Sequence, residues 1–365
     1  MKLWQIAALT LAGVAYGYFQ PGQLTSAFGT LTLYVLLPAL LFEGAWNLDY
    51  RAMRREWGPI IVLALPGVAI TALIIAGALA IVRVPFGPAL LAGAILSATD
   101  PIAVVAVFRR IRVPRLLRTL VECEALFNDA VAVVLYRAVL LIVLATTVSA
   151  AQIAGTALWS LLASAVGVGV GVVVAFVTAA AIRKGNNGGL QIVATILCAY
   201  FSYFLAELLH LSGIFATISS GIALRYFDRR YVSVKIAEDV EGFWDLLALL
   251  ANAVVFFLIG AALSVVAIGR DVAFVVAVLA GAWLARGVVA GLLLPGGYPR
   301  EWLQVVRVAG VRGALSLALA LALPQQTPYK GEIEAATFAL VIVTIVSGTF
   351  TVPRVVKRVA TRERR

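Results

Sequence analysis

The sequence predicts an all-α polytopic membrane protein with about twelve transmembrane helices, in which inverted repeats contain two broken, crossing helices. Three observations lead to this fold class. Hydrophobic residues make up 62% of the 365 residues and charged residues 13%, whereas a soluble domain carries about 25% charged residues. Apolar stretches long enough to cross a bilayer recur along the chain, and the basic residues gather in alternate loops between them. Most of the surface is therefore expected to face lipid.

The predicted spans follow from the length that a helix needs to cross a bilayer, which is about 20 mostly apolar residues. Several spans are long enough to tilt, and the eighth is short. Their bounds are 3–19, 24–46, 58–82, 86–108, 115–146, 153–182, 189–209, 212–226, 240–266, 272–294, 302–323 and 333–353.

The basic residues indicate how these spans are oriented. Lys and Arg follow every even-numbered span, whereas the loops on the other side contain only Arg83, Arg270 and Lys330. Cytoplasmic loops carry the excess of basic residues, so both termini are expected in the cytoplasm. As a separate expectation, the protein is assigned to the inner membrane of a prokaryotic cell. The net charge of +11 then reflects topology, and no nucleic-acid partner is expected.

Residues typical of soluble enzymes are scarce. Cys123 and Cys198 both lie in apolar stretches, so no disulfide framework is indicated. His210 is the single histidine and cannot build a His-based metal cage. No GxxxxGK[ST] sequence occurs, so a P-loop for an ATP-driven pump is not indicated. We expect neither an enzyme nor a cofactor.

The fourth span contains an ionisable residue within a sequence that breaks a helix. It runs inward and places Asp100, which precedes Pro101, about 20 Å along its length. Asp followed by Pro is a favourable N-cap and N1 pair. We therefore expect the span to break and restart at Pro101, with Asp100 at the positive end of its second half. Broken backbone at the midplane is tolerated only where it lines a site; the alternative is a simple proline kink.

The fifth span carries three polar side chains within six residues. It runs outward and places Asp129 about 21 Å along its length, near the expected depth of Asp100. Glu124 and Asn128 lie one turn apart on the same face. Ionisable residues inside a membrane mark function by default, although a polar cluster that joins helices is the alternative.

Two arginines occupy matching depths in the tenth and eleventh spans. Arg286 lies about 21 Å down the inward-running tenth span, and Arg312 about 15 Å up the outward-running eleventh. Arg312 lies between Gly310 and Gly313, a second point that weakens a helix, where it would face the negative end of the first half of its own span. The fourth and eleventh spans thus resemble two broken helices of opposite direction and charge, which is the midplane-site layout of secondary transporters.

Other polar residues are weaker candidates. Glu43 lies near the end of the second span, close to Asn47 and Asp49. It is expected either to form part of an ion entry or to be solvated at the helix end. Arg137 and Arg307 are expected to reach the interface or to pair.

Several motifs, in order along nearly the whole chain, resemble the NhaP-type sodium/proton antiporters of the monovalent cation:proton antiporter family. The chain is therefore identified as a member of this family by resemblance. The motifs are LPALLFE at 37–43, AWNLD at 45–49, ATDPIAV at 98–104, EALFND at 124–129, LHLSG at 209–213, FFLIG at 256–260 and RGALSLAL at 312–319.

The resemblance implies an NhaA-like antiporter fold, a homodimer in membrane lipid, an elevator-like motion of a core domain, and a role in pH homeostasis. It implies that Asp129 holds the cation or proton, supported by Asn128, Thr99 and Asp100, with Glu124 and Arg286 as an ion pair. The implied core domain comprises the helices within 86–146, 240–266 and 302–353, the dimer domain those within 3–82 and 153–226, and 272–294 contributes Arg286.

Two departures from the family pattern stand out. Family members usually have thirteen helices, so the first is expected to be missing here. The family usually has Ser where this chain has Ala125, which removes one hydroxyl ligand and leaves the choice among Na⁺, Li⁺ and K⁺ open.

The mechanism needs few parts. A partly buried carboxylate such as Asp129 can hold a proton or a dehydrated cation but not both, so competition produces exchange. With one titrating site, exchange of one monovalent cation per proton is expected to be electroneutral. An organic-anion symporter on the same scaffold, a membrane-embedded enzyme and a passive channel are the alternatives.

Overall fold

The computed structural model describes residues 3–20, 31–108, 110–145, 149–182, 187–228, 234–263, 272–293 and 297–362, and within these ranges the chain forms helices and turns without strands. Helices satisfy their backbone hydrogen bonds internally, as apolar surroundings require. The helices are α1 (Leu3–Phe19), α2 (Leu37–Trp46, preceded by the π-helical turn Thr32–Leu36), α3 (Tyr50–Arg55), α4 (Trp57–Ile81), α5 (Phe86–Ile95), α6 (Ile102–Phe108), α7 (Arg115–Leu144), α8 (Ala150–Ile182), α9 (Gly188–Leu208), α10 (Gly213–Asp228), α11 (Val234–Leu263), α12 (Val272–Leu293), α13 (Arg300–Val308), α14 (Ala314–Leu321) and α15 (Lys330–Arg362).

Seven of the described helices are long and apolar enough to cross a membrane. The apolar parts of these helices are Trp57–Ile81, Arg115–Leu144, Ala151–Ile182, Gly188–Leu208, Ile236–Leu258, Val272–Gly291 and Lys330–Ala360, and shorter apolar helices cover Ala8–Phe19, Thr32–Trp46 and Phe86–Ile95.

The predicted spans match these helices except at three places. Helix α11 begins at Val234 and not at 240, because its first turns contain charged residues that the apolar stretch did not include. Helix α3 forms where the sequence predicted a loop. The prediction missed this helix because its residues are mostly polar and no apolar stretch marks it. Helix α15 continues to Arg362, past the predicted end at 353, because Val352, Val356 and Val359 are buried and extend an apolar stripe at helical spacing. Predicted positions 24–30, 146, 264–266 and 294 lie outside the described residues.

The chain divides into two compact units. The larger comprises the described residues of 1–30, 51–147 and 255–365, and the smaller those of 31–50 and 148–254. In the larger unit α1 approaches the end of α11 so closely that a Cβ on Gly13 or Gly260 would collide with the backbone of the other helix. Small residues permit such close packing between membrane helices.

The smaller unit has an aromatic core. Phe42 and Trp46 of α2 pack with Trp244 of α11 in a buried cluster that includes Leu224 and Cys198. Trp244 Nε1 donates to Thr195 Oγ1 at 3.0 Å, and the hydroxyls of Ser202 and Ser220 lie 3.0 Å apart, whereas the buried Trp46 Nε1 has no hydrogen-bond partner among the described residues.

The predicted core and dimer domains are groups of helices that are expected to move together. The two compact units are defined by contacts and do not measure such motion. The residues of α1 and α4, expected in the dimer domain, fall in the larger compact unit. The functional division therefore stays a prediction.

Candidate functional site

Two interrupted helices meet in the larger unit. Helix α5 ends at Ile95 and α6 begins at Ile102, while α13 ends at Val308 and α14 begins at Ala314. The Asp100 amide donates to the Val311 carbonyl at 2.7 Å. The two interrupted segments are therefore joined by a backbone hydrogen bond. Backbone groups left without a partner would be costly in an apolar environment.

The sequence placed the first interruption correctly but not its end. The second half was expected to start at Pro101 with Asp100 as its N-cap, whereas α6 starts at Ile102. The Pro101 carbonyl accepts from Val105 N. The Asp100 amide, which donates to Val311, joins this residue to the crossing of the two interrupted segments.

Arg312 compensates the end of a different helix from the one predicted. Its side chain is buried, and Nη1 donates to the carbonyls of Ser97 at 2.8 Å and Ala98 at 2.9 Å. These carbonyls directly follow α5, whose carboxyl end carries partial negative charge. The expectation that Arg312 faces the end of the first half of its own span was wrong, because the crossing brings another set of free carbonyls within its reach.

Asp100 shows the reciprocal arrangement. A Cβ on Gly313 would collide with the Asp100 carboxylate, so only Gly leaves room for it there. Gly313 is the residue before α14, and the amino end of a helix carries partial positive charge. Asp100 thus lies at the positive end of α14, whereas the sequence assigned it to the second half of its own span.

Asn128 and Asp129 of α7 contact the unwound segment that follows α5. Asn128 Nδ2 donates to Ser97 O at 3.1 Å and to Thr99 Oγ1 at 3.0 Å. The Asp129 carboxylate faces the backbone amide of Thr99, and Asp100 and Arg312 lie near enough to act on its charge. Among the described residues, Asn128 Oδ1 and Asp129 Oδ1 are buried oxygens without a hydrogen-bond partner. Buried polar atoms are rarely left so. Asp129 Oδ1 can still accept a proton or a cation, and Asn128 Oδ1 can coordinate a cation.

Glu124 and Arg286 form the ion pair that the resemblance implied. Arg286 Nη1 contacts Glu124 Oε1, and Nη2 donates to Oε2 at 3.0 Å. Nη2 also donates to the Val306 carbonyl at 2.6 Å, and the Arg286 stem packs on Gly310. Glu124 is only 2% exposed and lies one turn before Asn128 in α7. Through the contacts of Arg286, the pair links α7, α12 and α13.

The comparisons with known proteins identify the family. A family model described as "Sodium/hydrogen exchanger, transmembrane" matches residues 1–358. The chain belongs to the sodium/hydrogen exchanger family. This is a family of transporters, so the prediction that the chain is not an enzyme is confirmed.

Relatives of this chain are named as antiporters. It is 30% identical over 90% of its length to the Na⁺/H⁺ antiporter ApNhaP of Aphanothece halophytica. It is 30% identical over 96% of its length to the low-affinity Na⁺/H⁺ antiporter NhaS1 of Synechocystis. The chain spans 64% and 68% of these two relatives, or about two thirds. It is 27% identical to the Na⁺/H⁺ antiporter NhaH of Halobacillus aidingensis, of which it covers 91%.

A solved structure establishes the fold of the exchanger. The sodium proton antiporter MjNhaP1 of Methanocaldococcus jannaschii superposes with a TM-score of 0.80 at 20% identity, over 97% of this chain and 92% of that one. The exchanger is therefore an all-helical, multi-span membrane protein, as the composition predicted.

The remaining predicted residues of the exchanger occupy separate places. Ala125 is buried on α7, one turn before Asp129. Glu43 lies in the smaller unit and accepts from Asn47 Nδ2 at 2.7 Å, and its role in ion entry stays a prediction.

Sequence reasoning missed two polar contacts of the exchanger. Thr344 Oγ1 on α15 accepts from the Arg312 amide at 3.0 Å, and the buried Glu56 accepts from the Tyr298 hydroxyl. Both join residues far apart in sequence, and neither lies in a motif that marks it.

Proposed function

We propose that this chain is a secondary active transporter that moves a monovalent cation, Na⁺, Li⁺ or K⁺, against a proton. The observation that carries the proposal is the partly buried carboxylate of Asp129, whose buried Oδ1 has no hydrogen-bond partner among the described residues and lies beside an interrupted helix. A proton and a dehydrated cation compete for that oxygen. If only the loaded carboxylate crosses the barrier, the two ions alternate and exchange follows.

The surrounding atoms suit a hard cation. Asp129 Oδ1 and Asn128 Oδ1 are oxygen acceptors without partners among the described residues. Thr99 Oγ1 accepts one hydrogen bond from Asn128 and keeps a second lone pair. Hard cations prefer such carboxylate, amide and hydroxyl oxygens.

The charges around the site support a stoichiometry of one proton per cation. The described cluster contains three carboxylates, on Asp100, Glu124 and Asp129, and two guanidinium groups, on Arg286 and Arg312. With all five ionised the cluster carries one net negative charge, which is costly in a membrane. One proton or one monovalent cation neutralises it, and the loaded cluster has the same charge in either case.

The proposal extends to architecture. We count twelve crossings if α5 with α6 and α13 with α14 each form one broken helix, and the opposite directions of these two helices favour inverted repeats. The transporter would work as a homodimer with an elevator-like core, and with both termini in the cytoplasm of a prokaryotic cell, as the basic loops suggest.

The test removes the carrier and keeps the shape. Asp129→Asn should abolish cation-driven proton movement in proteoliposomes when internal pH is followed as Na⁺, K⁺ and Li⁺ are added in turn. Glu56→Gln is the matched control, because it neutralises another buried carboxylate of the same unit, outside the cluster, and should still exchange. Thermal unfolding and gel filtration verify that both variants are folded. Exchange by Asp129→Asn at the wild-type rate would remove Asp129 from the mechanism, and proton movement driven only by organic anions would indicate symport instead.

A further inference from the structure

An open groove lies between α12 and α13 in the larger unit. It has a volume of about 460 Å³ and is lined by Trp283, Leu284, Gly287, Val288, Gly291 and Arg307. Trp283, Gly287 and Gly291 are spaced by four residues and therefore form one stripe along α12. A Cβ on Gly291 would meet nothing within 4 Å, so the glycines leave space that a side chain would fill.

The groove belongs to a part of the chain that faces lipid. The apolar part of α12 covers Val272–Gly291, and Trp283 and Leu284 are 68% and 53% exposed. The proposed ion site lies on another side of this helix, where Arg286 holds Glu124.

A cation that has no carboxylate partner among the described residues lies in this groove. The Arg307 guanidinium is 4.9 Å from the centre of the Trp283 ring, and its Nη2 would be 3.6 Å from a Cβ on Gly287. Within the described part of the chain, no carboxylate lies within ion-pair distance of it. The nearby residues 294–296 are Leu, Pro and Gly and carry no acid.

The depth of this guanidinium makes the missing counter-charge costly. Gly287 lies six residues before the end of α12 at Leu293, or about 9 Å along the helix. An arginine at such a depth requires a partner or a local deformation of the bilayer, and the Trp283 ring, which holds it by cation–π attraction, does not neutralise it. Basic pockets between transmembrane helices bind anionic lipid head groups.

We propose that this groove binds an anionic phospholipid. The phosphate pairs with Arg307, and an acyl chain lies along Gly287 and Gly291 against the Trp283 ring. The lipid then bridges α12 and α13 on the side opposite the Glu124–Arg286 pair. A second copy of the chain is the other possible occupant, but it would have to supply a buried anion to meet Arg307, whereas an anionic lipid carries one.

Phosphatidylglycerol and phosphatidylcholine distinguish these possibilities, because they share acyl chains and differ in net charge. The full chain in detergent is titrated with each lipid, and bound lipid is counted by native mass spectrometry. Wild type should retain phosphatidylglycerol more tightly, and Arg307→Gln should weaken that binding at least about fivefold, the ratio for one basic residue near an anionic surface. Arg354→Gln, which removes an exposed arginine of the same unit, should not.

A second variant tests the groove without changing charge. Gly291→Leu should fill the space for the acyl chain and reduce phosphatidylglycerol binding while Arg307 is intact, even if Arg307→Gln does not fold. Equal binding of both lipids, or equal losses in Arg307→Gln and Arg354→Gln, would overturn the proposal. A change of oligomeric state in Gly291→Leu, measured by light scattering, would assign the groove to a second copy and overturn it as well.

Discussion

The Glu124–Arg286 pair allows a quantitative test of how the site is held. Removing one partner of a buried ion pair leaves an uncompensated charge and costs about 3–5 kcal/mol of unfolding free energy. The two single substitutions should differ. In Glu124→Gln the guanidinium keeps the Val306 carbonyl, so the loss should lie near the lower limit. In Arg286→Gln the Glu124 carboxylate loses both contacts to its guanidinium partner, so the loss should approach the upper limit.

A double-mutant cycle measures this coupling directly. The Glu124→Gln, Arg286→Gln double variant replaces both charges by amides and should be about 1–3 kcal/mol more stable than the sum of the single losses predicts. The assay is unfolding of the purified chain in detergent. Arg118 and Glu122 of the same helix provide the matched control cycle, because their 2.8 Å ion pair joins an exposed arginine to a half-buried glutamate one turn away and should couple by only about 0.3–0.5 kcal/mol. Strict additivity of Glu124 and Arg286 would show that the two charges do not meet.

Two further predictions concern transport. Exchange should be electroneutral, because one proton or one cation neutralises the cluster, so clamping the membrane potential with valinomycin and potassium should leave the Na⁺-driven rate unchanged; a clear voltage dependence would refute the one-to-one stoichiometry. Ala125→Ser restores a hydroxyl one turn before Asp129 and should lower the half-saturation concentration for Na⁺ several-fold, because a hydrogen bond or similar polar contact to a charged group contributes about 1.5–3 kcal/mol. The half-saturation concentration for K⁺ should fall less, because small ions lose most when a ligand is missing. If neither constant changes in proteoliposomes at one pH, position 125 does not face the ion.

Much of the site could be predicted because depth in a membrane can be counted along a helix. Asp100 and Asp129 were expected at similar depth from the rise per residue alone. In the structure Asp100 belongs to the segment that follows α5, and Asp129 faces the same segment. The interruption before Pro101 was likewise predictable, because proline lacks an amide and restricts the residue before it.

The partners at the crossing could not be predicted in the same way. A helix-dipole argument states that a charge prefers a helix end of opposite sign, but it does not state which helix. Arg312 therefore was assigned to its own span and binds carbonyls that follow α5. The same holds for Thr344, which bonds a backbone amide 32 residues away and gives no signal in the local sequence.

The crossing also affects how the site can vary in evolution. The two interruptions are joined through the Asp100 amide, the Val311 carbonyl and the carbonyls of Ser97 and Ala98 that Arg312 reaches. Four of the five chain positions involved therefore take part through backbone atoms, which do not change when a side chain is replaced. Two of the three proposed ion ligands, Asn128 and Asp129, in contrast, come from a continuous helix, α7, which can exchange one residue without altering its path, whereas Thr99 belongs to the unwound segment. The geometry that breaks and aligns the helices is thus inherited separately from the ligands that select an ion. A chain can lose a hydroxyl at position 125 and drift in ion preference while the frame that holds Asp129 is preserved.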